Sequence, residues 1–192
     1  MTTIITILTE GYADWETALL NAAARQYYGI TTLFASPEGK PVRSAGGLLV
    51  TPDLPVEAIE PAEINALILN GGTIWASPEA PDLTALLHAA SDAGVTIAAI
   101  CDATLALAKA GLLDAIPHTS NSPDTLKPTG YLGAAHYQDQ PLAVASGKII
   151  TAPGTAPVSF MGAVMESLAL RNDELDFYLA LHAAEHQVRS PA

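Results

Sequence analysis

Three short runs, "TIITIL" (Thr3–Leu8), "INALILN" (Ile64–Asn70) and "VTIAAI" (Val95–Ile100), constrain this chain most. Each is apolar almost throughout and rich in β-branched residues. A strand with one wet face alternates apolar and polar residues; a continuous apolar run marks a strand buried on both faces. Each run is followed by a turn and a helix-like segment. "DWETALLNAAARQYYG" starts at Asp14, a fair N-cap, and stops at Gly29; Trp15, Ala18, Leu19, Ala22 and Ala23 share one face of it. "PDLTALLHAASDAG" (Pro81–Gly94) has proline at its start and glycine at its end. Asp102 to Ala110 suits a helix stopped near Gly111.

The remaining segments complete the pattern. "ITTLFAS" (Ile30–Ser36) is a strand, and "GKPVRSAGGLLVTPD" (Gly39–Asp53) a small hairpin. "IPHTSNSPDTLKPTG" (Ile116–Gly130) is a polar loop, and "LAVASGKIITAPG" (Leu142–Gly154) a pair of strands. Helices follow over Thr155–Leu170 and Asp173–Arg189. No linker or repeat interrupts the chain, so residues 1–192 are expected to form one domain. The α/β alternation predicts a mostly parallel central sheet with helices on both faces.

Charge and cysteine usage narrow the function. Eight Lys+Arg against twenty Asp+Glu give a net charge of −12. Nucleic acid and anionic membrane surfaces both require clustered basic residues, so neither is an expected partner. Cys101 is the only cysteine, which precludes an internal disulfide and suits a reducing compartment. The first residues, "MTTIITILTEGYADWE", lack a basic start and a long apolar run. No signal peptide or membrane span is expected, and the cytoplasm is the default location.

Ligands of open parallel sheets bind beyond the carboxyl ends of the strands. Three candidate groups lie at such ends. Cys101 sits at a strand-to-helix turn, where the helix dipole favours the thiolate; a small buried filler is the competing assignment. Gly71 and Gly72 are either oxyanion donors through their N–H groups or an ordinary turn. Glu16 stands in a first helical turn, where acids are favoured by the dipole alone. Asp102 follows the cysteine, and helix capping is its expected role; its backbone N–H is a further oxyanion candidate. Asp14 is an N-cap or a second acid at the pocket mouth, and Trp75 a pocket or packing residue. "HAAEH" (His182–His186) matches a metalloprotease spacing, but the sequence after it has no room for a helix with another ligand. No metal and no cofactor is expected.

"LILNGG", "IAAICDATLALAKAGLLD", "GYADWET" and "GKIITAPGTAP" resemble the ThiJ/PfpI family, which includes the parkinsonism-associated deglycase and belongs to the class I glutamine amidotransferase-like superfamily. "ADWE" with "PHTSN" is similar to a bacterial subgroup described as proteases or amidases. The resemblance implies a flavodoxin-like three-layer sandwich with a nucleophile elbow at Cys101. It also implies a Glu16 carboxyl bonded to the sulfur, an oxyanion site near Gly72, and a homodimer. The family's histidines are not in place: Asp102 occupies one position, and Asn121 aligns with the other. His118 lies three residues early, either in reach of the thiol or an exposed loop residue. The implied function is a cysteine-dependent hydrolase, amidase or glyoxalase-like enzyme acting on a small carbonyl or amide. The alternative is a non-catalytic redox sensor or stress-response protein of the same fold.

Overall fold

The computed structural model describes residues 2–184. In chain order it contains β1 (Thr3–Ile7), α1 (Asp14–Tyr28), β2 (Thr31–Ser36), β3 (Val42–Arg43), β4 (Leu49–Val50), β5 (Leu54–Pro55) and β6 (Ala66–Leu69). There follow α2 (Thr84–Asp92), β7 (Thr96–Ile100), α3 (Thr104–Lys109), α4 (Pro123–Leu126), β8 (Val144–Ser146), β9 (Ile149–Ala152), α5 (Pro157–Ser167) and α6 (Asp173–Ala183). Seven strands form one sheet in the order β5-β2-β1-β6-β7-β9-β8. All neighbours are parallel except β8 and β9. The sheet is that of a flavodoxin-like α/β sandwich.

The continuous apolar runs have a direct explanation. Successive side chains of a strand point to opposite faces, so each central strand feeds two cores. Ile5, Ile7, Leu67, Leu69, Ile97 and Ala99 pack under α2 and α3. Ile4, Ala66, Ile68, Ala98 and Ile100 pack under α1 and α5. Each fully buried Ile or Leu contributes ~1.5–3 kcal/mol. The buried polar residues of these strands are threonines such as Thr6, whose hydroxyl donates to Asn21 Oδ1 at 3.1 Å.

Local departures from the expected elements have local causes. The buried face of α1 carries Glu16, Leu20, Ala23 and Ala24, whereas Trp15 is 57% exposed. The alanine-rich segment has little amphipathic contrast, and polar Glu16, Thr17 and Asn21 occupy its buried side. The 116–130 segment is not all loop: Ser122 caps the short α4 through the Thr125 N–H, with Pro123 in its first turn. Asn172 caps α6 through the Leu175 N–H at 2.8 Å. Glu185 and His186 of the HAAEH motif lie outside the described residues. Among the described residues, no three His, Cys, Asp or Glu side chains converge to hold a metal. No described helix is long and apolar enough to cross a membrane.

The order of crossovers positions the site. β1 leads to β2 on one side, whereas β6 leads to β7 on the other. The crevice between β1 and β6 is therefore the point where strand order reverses, the favoured ligand position of an open sheet.

Candidate active site

Cys101 follows β7 with φ at +60°, a left-handed conformation rare for a residue with a side chain. Such strain costs ~1–3 kcal/mol and persists only where the surroundings enforce it. Here the Thr104 hydroxyl donates to the Cys101 carbonyl at 2.7 Å, and Thr104 Oγ1 lies 2.7 Å from Ser120 Oγ.

Glu16 reaches the thiol from the first turn of α1 and is 1% exposed. Its Oε2 accepts the Gly71 N–H at 2.8 Å. Its Oε1 is buried with no hydrogen-bond partner among the described residues. That oxygen lies beside the sulfur: a methyl group at Gly154 would come within 2.9 Å of both Cys101 Sγ and Glu16 Oε1. Burial pushes the Glu16 carboxyl from about 4.5 up to about 7, with the adjacent Cys101 thiol and the Gly71 N–H opposing the rise. Burial likewise pushes the Cys101 thiol up to about 12, and the Glu16 charge adds to this. The thiolate expected from the helix dipole is therefore not the resting form. The turn after Cys101 is a 3₁₀ turn and α3 has only six residues, so desolvation and the neighbouring acid prevail.

Glycine is required at both flanks for space. A Cβ at Gly71 would lie 2.2 Å from Glu16 Oε2 and 2.5 Å from Cys101 Cβ. Asn70, which the sequence reading passed over, holds this corner. Its amide donates to the carbonyls of Ala13 and Gly71, its Oδ1 accepts the Thr17 hydroxyl, and its carbonyl accepts the Trp75 indole N–H. Trp75 is thus 1% exposed and a packing residue, although its edge lines a cavity of about 410 Å³ shared with Asp102. Gly71 is not free to bind an oxyanion, because its N–H is committed to Glu16.

Asn121 occupies the third side of the sulfur. Its Nδ2 donates to Cys101 Sγ at 3.2 Å and to Asp102 Oδ1 at 2.8 Å, while its Oδ1 accepts the Gly154 N–H at 2.9 Å. These bonds use both amide hydrogens and fix the amide's orientation. Asp102 therefore does not cap: neither the 3₁₀ turn nor α3 has a side-chain cap, and its carboxylate anchors Asn121. Asp14 does not cap α1 either. It accepts the Gly46 N–H at 2.8 Å and is held below the usual carboxylate range by the Ser44 hydroxyl, then by that N–H. Trp15, also unanticipated, donates its indole N–H to the Gly154 carbonyl at 3.1 Å.

His118 is neither exposed nor bonded to the thiol. It is fully buried, with Nδ1 on the Ile116 carbonyl at 2.8 Å and Nε2 on the Tyr131 hydroxyl at 3.3 Å. A carbonyl only accepts, so Nδ1 carries the proton and Nε2 accepts. Burial lowers its pKa, which keeps the ring neutral. Tyr131 and Tyr137 meet it edge-on at 5.4 and 5.7 Å. Replacing His118 by alanine is expected to cost about 3 kcal/mol of stability, as for other buried rings. It should leave Cys101 alkylation in the folded protein within twofold; a large rate change would place His118 in the chemistry. Asn121→Ala has the opposite signature. Loss of a hydrogen bond that favours the charged sulfur is expected to slow iodoacetamide alkylation about tenfold at pH 8. An unchanged rate would show that the amide does not support the thiolate.

Residues 2–167 match the model of the DJ-1/PfpI family. The chain belongs to the DJ-1/PfpI family. It is 33% identical over 174 residues to the uncharacterized protease YdeA of Bacillus subtilis, covering 84% of this chain and 81% of YdeA. The crystal structure of the DJ-1 superfamily protein Atu0886 from Agrobacterium tumefaciens superposes with a TM-score of 0.95 and 44% identity, over 97% of this chain and all of that one. A thiJ/pfpI family protein from Bacillus anthracis gives a TM-score of 0.84 and 27% identity, over 96% and 92% of the two chains. Membership of the DJ-1/PfpI family, with protease-named relatives, supports a cysteine-dependent, enzyme-like function.

Proposed function

We propose that this DJ-1/PfpI protein adds the Cys101 thiol to the carbonyl of small 2-oxoaldehydes and converts them to 2-hydroxy acids, in the manner of a glyoxalase. The observation that carries this reading is the buried Glu16 carboxyl beside Sγ, with its pKa pushed up to about 7. A group that titrates near the working pH both takes and returns protons effectively. As the sulfur–carbon bond forms, the thiol proton passes to the Glu16 carboxylate, so no free thiolate is required. The carbonyl oxygen becomes an alkoxide facing the N–H groups of Gly72 and Asp102, and is protonated to the hemithioacetal. Glu16 then moves a proton from the former aldehyde carbon to the neighbouring ketone carbon. The first carbon is oxidised to a thioester and the second reduced to an alcohol. Water hydrolyses the thioester, releasing the acid and restoring the thiol.

Asn121 fits this chemistry better than amide hydrolysis. Peptide cleavage by Cys–His enzymes uses the imidazole to protonate the leaving amine. The Asn121 amide does not titrate and cannot supply that proton. Aldehyde addition has no amine to expel.

Incubation with methylglyoxal should produce lactate, Cys101→Ala should abolish production, and Glu16→Gln should lower kcat at least a hundredfold. Lactate formation that survives Cys101→Ala would refute the reading. A second reading, oxidation of Cys101 by peroxide to a sulfinate, is favoured by the unpartnered Glu16 Oε1, since a protonated carboxyl there can donate to the oxidised sulfur. Stoichiometric +32 Da modification by dilute peroxide, without methylglyoxal turnover, would favour it.

A further inference from the structure

The largest cavity among those described, about 720 Å³, lies away from the thiol on the α2 side of the sheet, beyond the ends of β1 and β2. None of Glu16, Cys101 or Asn121 lines it. Its volume suits a small organic ligand. Three features define that ligand.

Its lining is apolar at depth: Val56, Ile59 and Leu83 are all buried. The rim is acidic, with Glu10, Glu38, Glu57, Glu79 and Asp82 against a single cation, Lys40. The Lys40 ammonium pairs with Glu38, so the rim already accommodates one amine. Glu79 and Asp82 are held below the usual carboxylate range, by the Ser77 hydroxyl and the Thr84 N–H respectively, and remain charged. The third feature is Thr9. It lines the cavity, is 1% exposed, and its Oγ1 has no hydrogen-bond partner among the described residues. A buried hydroxyl without a partner costs ~1–3 kcal/mol, which a ligand that bonds it would recover.

We infer that this cavity is a second ligand site, for a primary amine with an apolar body. The ammonium lies among the rim carboxylates, the apolar body rests on Val56, Ile59 and Leu83, and Thr9 Oγ1 provides a polar contact at depth. A metal ion does not fit, because the carboxylates are spread around the rim and no three of them converge. An anionic ligand is repelled by the rim, and a wholly neutral one leaves its charge unused.

Calorimetry with 4-phenylbutylamine and its neutral analogue 4-phenylbutan-1-ol tests this. The amine is expected to bind saturably, with affinity at least tenfold above the alcohol and weakening as salt rises. Ala85→Trp, an exposed lining position, should cut amine affinity tenfold or more by filling the mouth. The double variant Glu79→Gln and Asp82→Asn should cut it at least fivefold; asparagine still caps, so the fold is kept. Thr9→Val should weaken binding and Thr9→Ser should restore it. Cys101→Ala should change nothing. The inference is overturned if no saturable binding occurs, if the alcohol binds as well as the amine, if the rim or mouth variants leave affinity unchanged, or if Cys101→Ala abolishes it. The last outcome would assign the amine to the thiol site.

Discussion

Glu16→Gln will make the folded chain more stable above neutral pH, and change it little at pH 4. The sign follows from which state holds the proton. In the unfolded chain the carboxyl ionises near 4.5; in the fold it keeps its proton until about 7. Below both values the two states are equally protonated, and the group contributes no pH dependence. Between them the folded state binds more protons than the unfolded one, so stability falls as pH rises. Above about 7 both are ionised and the full penalty stands. A rise of about 2.5 units corresponds to roughly 3 kcal/mol. Glutamine carries no charge at any pH and keeps an oxygen for the Gly71 N–H. The variant should therefore gain on the order of 3 kcal/mol over the parent at pH 8 in urea titrations, and almost nothing at pH 4. Its kcat on methylglyoxal should fall at the same time. A stabilised fold with lost turnover is the signature of a residue kept for chemistry against stability. A variant that is less stable than the parent at pH 8 would mean that the carboxylate is charged and well paired.

Gly71→Ala should be the most damaging single methyl group at the thiol site. It would intrude to 2.2 Å of Glu16 Oε2 and 2.5 Å of Cys101 Cβ, between two elements that cannot easily separate. The N–H that holds Glu16 belongs to the same residue, so any backbone shift also loosens the carboxyl. Overpacking of this severity costs ~3 kcal/mol, or about 6–12 °C in Tm for a chain of this length. Gly147→Ala is the control. It has open space around it but a φ of +58°, and should cost only ~1 kcal/mol from backbone strain. Equal losses for the two variants would show that crowding at the thiol is relieved by movement.

The sheet was legible because its central strands are buried on both faces, which leaves short, nearly unbroken apolar runs rich in β-branched residues. The edge was harder: β5 has two residues, too few for periodicity, whereas the hairpin expected over Gly39–Asp53 is present as the antiparallel pair β3 and β4, outside the main sheet. The structure brings Cys101, Glu16 and Gly71 together because all follow strands at one end of the sheet. Gly154 obeys the same rule after β9, and "TAPG" was the signal that could have found it. Asn121 stood in the sequence at the family histidine's position, yet its residue type suggested an absence. Only geometry shows the amide taking over the hydrogen bond to sulfur. His118 and Asp102 failed for a related reason. A residue's type suggests what it can bind, but packing decides whether its partner is a carbonyl two residues away or a side chain on another loop.

The thiol's surroundings come from segments remote from one another along the chain; the Trp15–Gly154 bond alone closes a span of 139 residues. Contacts of such separation form late, because much chain entropy must be surrendered before they can hold. Glu16 follows β1 and Cys101 follows β7, so the two meet only when both strands are paired with β6 between them. A partly folded chain, or one nicked within the sheet, would carry its only cysteine without the carboxyl or the amide that govern it. The protonation behaviour of Cys101 is therefore a property of the completed topology, and serves as a built-in chemical report that assembly has finished.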